Sequence, residues 1–215
     1  MSGSHALEAA TDTAAELLVW RPRVAHEDAP MDLAAAEQGA ADLLSALGLP
    51  IDGIGMAETP RRMAQAYAEM LSVPDFELTT FPNSEAYDEL VLVQDIPVRS
   101  VCEHHMLPFV GVAHVGYLPD ERILGLSKFA RVVDFFGHRA QTQERLTKQV
   151  AEYLRDQLSP RGVGVVVEAE HTCMTLRGVR AAGARTVTSA LFGALLDNPS
   201  SRAEFLALTR KGVNA

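Results

Sequence analysis

Residues 96–117 read IPVRSVCEHHMLPFVGVAHVGY, and this stretch decides the class of fold. Ile96–Val101 is strand-like, and Phe109–Tyr117 sets Val110, Val112 and Val115 among small residues, a second strand signal. Between them stands the densest polar cluster of the chain, Cys102-Glu103-His104-His105, which Pro108 closes off. The cluster therefore sits at a strand end or turn.

Outward from this stretch, Leu90–Ile96 is short, β-branched and bounded by polar residues. Val163–Glu170 holds four valines broken once by Gly164, and Thr186–Leu196 reads as a strand turning into a final helix that continues past Pro199. A long helical region separates the strands. Phe129, Val132, Val133 and Phe136 form one apolar stripe, and after a break near Gly137 a second follows with Leu146, Val150, Tyr153, Leu154 and Leu158.

The front third is helical. Leu33, Ala36, Ala40, Leu44 and Leu47 recur at helical spacing until Gly48 stops them. Thr59-Pro60 opens the next helix as a cap followed by a first-turn proline, with Met63, Ala66, Tyr67, Met70 and Leu71 as its apolar face. Residues 1–30 have weak periodicity and read as a peripheral arm with one helical stretch around Thr13–Trp20. The expectation is α+β: the arm, a helical region over 31–89, and a mixed domain over 90–215 of antiparallel strands interrupted by a helical pair.

Composition narrows the function. The 215 residues are 47% hydrophobic, which excludes a disordered chain, and carry 19 basic against 28 acidic residues, a net charge of −9. The imbalance is at the front: up to Glu58 there are 2 basic and 10 acidic residues, and the remainder is nearly neutral. No basic stripe suggests nucleic-acid binding. Cys102 and Cys173 are too few for a disulfide-built secreted scaffold. No signal peptide is readable at Met1–Leu18, and no apolar run approaches the roughly 20 residues that span a bilayer. The reading is a soluble, cytoplasmic protein without membrane or nucleic-acid partners.

Four groups can carry chemistry. Cys102 and His105 have the spacing that lets two side chains of one turn reach one metal, and Cys173 follows the valine strand within Glu170-His171-Thr172-Cys173. Together they would make a Cys₂His set with a fourth position open, the pattern of catalytic zinc. Free cysteines also serve simply as small buried apolar side chains. His104 and His171 neighbour these residues, either as acid–base groups or as histidines that only orient a ligand. Ser127, Lys128 and Arg131 open a helix, with Ser127 placed to cap it, and Arg177 and Arg62 lie elsewhere. A helix start with two cations suits phosphate, although each residue alone is equally a solvated surface charge. Gln141-Thr-Gln143-Glu144-Arg145 opens the second helix of the pair, where Glu144 is either a first-turn carboxylate near the helix dipole or an acceptor for a guanine edge. There is no Walker sequence and no G-x-G-x-x-G.

Taken together, SVCEHHMLPFVGVAHVGYLP, GLSKFARVVDFF, QTQERLTKQVAEYL, VVVEAEHTCMTLRGVR and RTVTSALFG, with TPRRMAQAYAEML ahead of them, resemble the GTP cyclohydrolase I family. The stretches run in family order from about Thr59 to the C-terminus. The resemblance implies the tunnelling fold: an antiparallel sheet with two helices on one side, preceded by helices. It also implies sheets joined between subunits into a barrel, a homodecamer of two pentamers, and active sites between subunits. Cys102, His105 and Cys173 look like the ligands of Zn²⁺, which lowers the pKa of a bound water. In the family, C8 of the guanine of GTP is attacked, the ring opens, formate leaves and dihydroneopterin triphosphate forms, the entry to folate and pterin synthesis. His104 and His171 are similar to the family's acid–base histidines, Glu144 to its guanine anchor with Gln143 beside it. Lys128, Arg131, Arg177, Ser127 and Arg62 are similar to its triphosphate contacts. One departure is visible: Gln65 stands where the family often carries Lys or Arg, removing a charge from the phosphate mouth.

A non-catalytic relative would be expected to lose some of these side chains, and all are present. A zinc nucleobase deaminase would need H-x-E with P-C-x-x-C, which is absent.

Overall fold

A computed structural model describes residues 30–210. The arm expected over residues 1–30, with its helical stretch at Thr13–Trp20, lies outside the described residues apart from Pro30. In chain order the elements are α1 (Leu33–Ala46), α2 (Thr59–Leu71), β1 (Thr80–Pro82), β2 (Val91–Cys102), β3 (Pro108–Leu118) and β4 (Arg122–Leu124). Then come α3 (Leu126–Gly137), β5 (Ala140–Gln141), α4 (Gln143–Leu158), β6 (Gly162–His171), α5 (Thr172–Thr175), β7 (Thr186–Gly193), α6 (Ala194–Asp197) and α7 (Pro199–Thr209).

The main sheet has the order β5-β2-β3-β6-β7, antiparallel throughout except for a two-residue parallel ladder between β2 and β5. Alternate side chains of its strands face α3 and α4. Val98, Val115, Val163, Val165 and Val167 meet Phe129, Val132, Val133 and Phe136 from α3 and Leu146, Val150, Leu154 and Leu158 from α4. Both helical stripes read in the sequence are thus the core-facing stripes. The result is α+β, with two helices on one face of an antiparallel-rich sheet, the subunit arrangement that the resemblance implies.

One end of the opposite face is covered by α6 and α7, where Leu195 and Phe205 pack with Val166. Gly116 and Gly164 are register partners beneath the Phe205 ring. A Cβ built on Gly164 would lie 2.7 Å from that ring, so the glycine that interrupts the valine run makes room for the final helix. Among the described residues no helix is long and apolar enough to cross a membrane.

Several local expectations shift. Leu90–Ile96 and Ile96–Val101 belong to one 12-residue strand, β2, whose pairing is irregular between Val93 and Ile96 at Asp95, φ +55°. Thr59 is the first helical residue rather than the cap, which is Glu58, and the Thr59 hydroxyl turns to the Met56 sulfur. The inner side of α2 is Pro60 and Ala64 with Met63, Tyr67 and Leu71 half-buried, and Ala66 is exposed. On α1 only Ala40 and Leu44 are buried, because α2 is the principal element packed against that helix. Gly125, not Ser127, occupies the cap position of α3. The helix after β7 does not run on past Pro199: Asn198 breaks it and caps α7 through bonds from the Ser200 and Ser201 amides.

Candidate active site

Cys102 is the last residue of β2, and the chain turns sharply after it. The Met106 amide returns to Cys102 O at 2.8 Å, with Met106 at φ +52°, and the Cys102 amide bonds Leu107 O. That turn presents His105. Cys173 comes from α5, just past the end of β6, and β3 lies between β2 and β6 in the sheet. The Thr172 hydroxyl donates to Pro108 O at 2.6 Å and ties α5 to the start of β3.

The three ligand atoms then lie within 4.8 Å of one another. Cys102 Sγ is 3.9 Å from His105 Nδ1 and 4.0 Å from Cys173 Sγ. Ligands about 2.3 Å from a tetrahedral ion stand about 3.8 Å apart, so the set fits one such ion. Two thiols and one imidazole are a donor set suited to zinc, and a fourth corner stays open. Burial and the Cys102 thiol push the Cys173 thiol up, while Arg177 is near enough to pull it down.

His171, the last residue of β6, stacks on Phe109 with ring centroids 4.5 Å apart and planes 12° from parallel. Its Nε2 is 2.8 Å from Gln143 Oε1. Burial lowers its pKa, and the Glu144 carboxylate opposes that shift. The helix start that carries both residues is set by Thr142, whose hydroxyl caps α4 by accepting from the Arg145 amide. Gln143 points inward and is 1% exposed, whereas Glu144 is exposed and lines a cleft with Thr147, Lys148 and Thr188–Phe192 of β7. Sequence reasoning placed Gln143 beside the guanine anchor. In the fold its amide is spent on partners inside the chain.

Three residues of the site were given no role in it by the sequence reading: Glu103, Arg145 and Tyr67. Glu103, within the turn after Cys102, accepts two bonds from the Arg145 guanidinium, at 2.6 and 2.8 Å. Its amide also bonds Gln141 O at 3.0 Å, so the turn is fastened to the start of α4 by backbone and side chain. The Tyr67 hydroxyl donates to Met106 O at 2.8 Å and docks α2 on the same turn. Glu103 and Arg145 both lie inside motifs quoted above, but nothing in their spacing indicates that they meet.

The remaining candidates are distributed. His104 is 66% exposed, 3.7 Å from Glu103, with its ring perpendicular to that of His105. Lys128 and Arg131 line a depression with Asp75, Phe76, Glu77 and Phe135, which none of Cys102, His105 and Cys173 lines. Ser127 is exposed beside them, and Arg177 is exposed on the loop after α5. Arg62 and Gln65 are exposed on α2, where Arg61 donates to both the Glu58 carboxylate and the Gln65 side-chain Oε1. One chain thus assembles Cys102, His105, Cys173, His171, Gln143 and Glu144, and does not bring Lys128 or Arg131 to them.

The family model described as GTP cyclohydrolase I matches residues 36–210. The chain is 53% identical over 189 residues to GTP cyclohydrolase 1 of Mycolicibacterium paratuberculosis, covering 85% of this chain and 92% of that one. It is 50% identical over 186 residues to the Thermobifida fusca enzyme of that name, covering 84% and 89%. For GTP cyclohydrolase 1 of Aquifex aeolicus the figures are 48% over 170 residues, 79% and 92%.

Proposed function

Because the chain belongs to the GTP cyclohydrolase I family, we propose that its metal triad and the residues around His171 form a zinc-dependent active site for GTP. The enzyme hydrolytically opens the guanine imidazole ring, releases the C8 carbon as formate and closes the product to 7,8-dihydroneopterin triphosphate, the first step of folate and pterin synthesis. The observation that carries the reading is the Cys102–His105–Cys173 cluster, 3.9 and 4.0 Å along two of its edges, beside the half-buried His171.

Cys102, His105 and Cys173 hold the zinc. Bound there, the ion supplies Lewis acidity and brings the pKa of a coordinated water to about 7. Glu144 accepts two hydrogen bonds from the guanine edge, its N–H and NH₂, in the cleft beside β7. His171 and His104 carry protons to and from the imidazole nitrogens and the ribose oxygens, roles suited to histidine near neutral pH. Arg177, Arg62, Lys128, Arg131 and Ser127 hold the triphosphate. With Gln65 in place of a cation, this chain grips it with one charge fewer.

The position of Lys128 and Arg131 in a separate depression supports active sites built between subunits, these residues completing a neighbour's site. Among the described residues the outer edge of β7 has no strand partner, which supports sheets joined across subunits in a decamer of two pentamers. The test is incubation of the purified protein with GTP, with and without a zinc chelator, assayed for formate and for neopterin after oxidation and dephosphorylation. Both products should appear, vanish with chelation and return with zinc. Neither product from a zinc-loaded, assembled oligomer would refute the reading.

A further inference from the structure

The side-chain amide of Gln143 has unambiguous surroundings. Its nitrogen lies 3.0 Å from Val167 O and 2.9 Å from Thr186 O, on β6 and β7, with Thr188 Oγ1 at 3.1 Å. Backbone carbonyls only accept hydrogen bonds, so the NH₂ end must face them. The reverse orientation would set an amide oxygen against two carbonyl oxygens in a site 1% exposed. The Thr147 hydroxyl reinforces the arrangement, 2.7 Å from Gln143 O and 2.6 Å from Thr188 Oγ1.

Orientation of the amide then dictates the state of the histidine. Gln143 Oε1 is 2.8 Å from His171 Nε2 and can only accept. The neutral His171 ring must therefore carry its hydrogen on Nε2, pointing at Gln143. Stacking on Phe109 keeps the ring in the plane where this bond is made.

We infer that Gln143 is a positioning residue that fixes the orientation and the neutral tautomer of the His171 ring, holding hydrogen on Nε2 and leaving Nδ1 without that hydrogen. The inference rests on the proposed role of His171 as a proton carrier. It replaces a direct contact between Gln143 and guanine, because every polar atom of the Gln143 side chain is already engaged within the chain.

Two readouts test it on the zinc-loaded enzyme. Nitrogen-15 spectra of histidine-labelled protein, with His171 assigned by its loss in His171→Gln, should show protonated Nε2 and bare Nδ1. Gln143→Met should give mixed tautomers and a kcat lower by roughly 10- to 100-fold, the usual effect of losing a partner that orients a site residue. The KM for GTP should stay within about twofold of the parent. A neutral His171 with hydrogen on Nδ1 in the parent overturns the inference, and this measurement decides even if Gln143→Met fails to fold. So does a variant whose KM rises while kcat is kept, or whose kcat falls with the tautomer unchanged. If the spectra are as expected but His171→Gln turns over GTP normally, the proton-carrying role has failed and the tautomer assignment stands.

Discussion

Replacing Arg145 by methionine keeps the aliphatic stem and deletes the fork that holds Glu103. Two bonds, at 2.6 and 2.8 Å, are lost, and a carboxylate only 27% exposed is left without that partner. Hydrogen bonds to charged groups contribute about 1.5–3 kcal/mol, and exposed ion pairs about 0.2–1 kcal/mol. A pair just over one-quarter exposed on each side falls between, at about 1–2 kcal/mol. Because Glu103 sits between Cys102 and His104, that energy holds the ligand turn against the start of α4. Zinc affinity and kcat should each fall about 5- to 30-fold, the equilibrium factor for 1–2 kcal/mol. Zinc affinity is read by competition with a chromophoric chelator, and turnover by neopterin release. Glu103→Gln alone and combined with Arg145→Met completes a double-mutant cycle, and the combined loss should be smaller than the sum of the two single losses. If Arg145→Met lowers the melting temperature while zinc affinity and kcat stay within twofold of the parent, the pair is a surface ion pair and the reasoning is wrong.

Cys173→Ser should lose zinc and activity together, since a hydroxyl replaces a thiolate poorly, and metal analysis showing full zinc would remove Cys173 from the ligand set. Glu144→Ala should keep its zinc and lose GTP turnover or selectivity over other nucleotides; kinetics like those of the parent would exclude the guanine-anchor role. Gly164→Ala drives a methyl into the Phe205 ring, 2.7 Å away, and should cost about 1–3 kcal/mol, measured as a lower denaturant midpoint at unchanged slope.

What sequence alone disclosed follows from how local each signal is. The stripes of α3 and α4 are periodic within one element, so Phe129–Phe136 and Leu146–Leu158 could be read without knowing what they pack against. Cys102 and His105 share one turn, and Cys173 was found through its scarcity and its neighbouring histidine. The fit of the three to one ion depends on β3 running between two other strands, which no spacing encodes. Glu103 and Arg145 are 42 residues apart, and Tyr67 is 39 from Met106, so their contacts exist only after folding. The inward direction of the Gln143 side chain was not legible for a related reason. Its neighbour Glu144 points outward from the same helix turn, and the sequence does not say which of two adjacent polar residues faces in. At Ser127 the identity of a good cap outweighed geometry that puts Gly125 in that position.

Cys102 ends β2 and Cys173 lies in α5 just past β6, two strands that are not hydrogen-bonded neighbours, and the cysteines stand 71 positions apart in the chain. An ion held by both is a staple across a third strand, and the ligand set ceases to exist once that end of the sheet opens. That end of the sheet then opens only by giving up the ion, and free zinc in the surroundings protects the folded chain by mass action. The working lifetime of the enzyme on heating becomes a function of ambient metal as much as of its core, and a destabilising change far from the site will show itself first as leaking zinc.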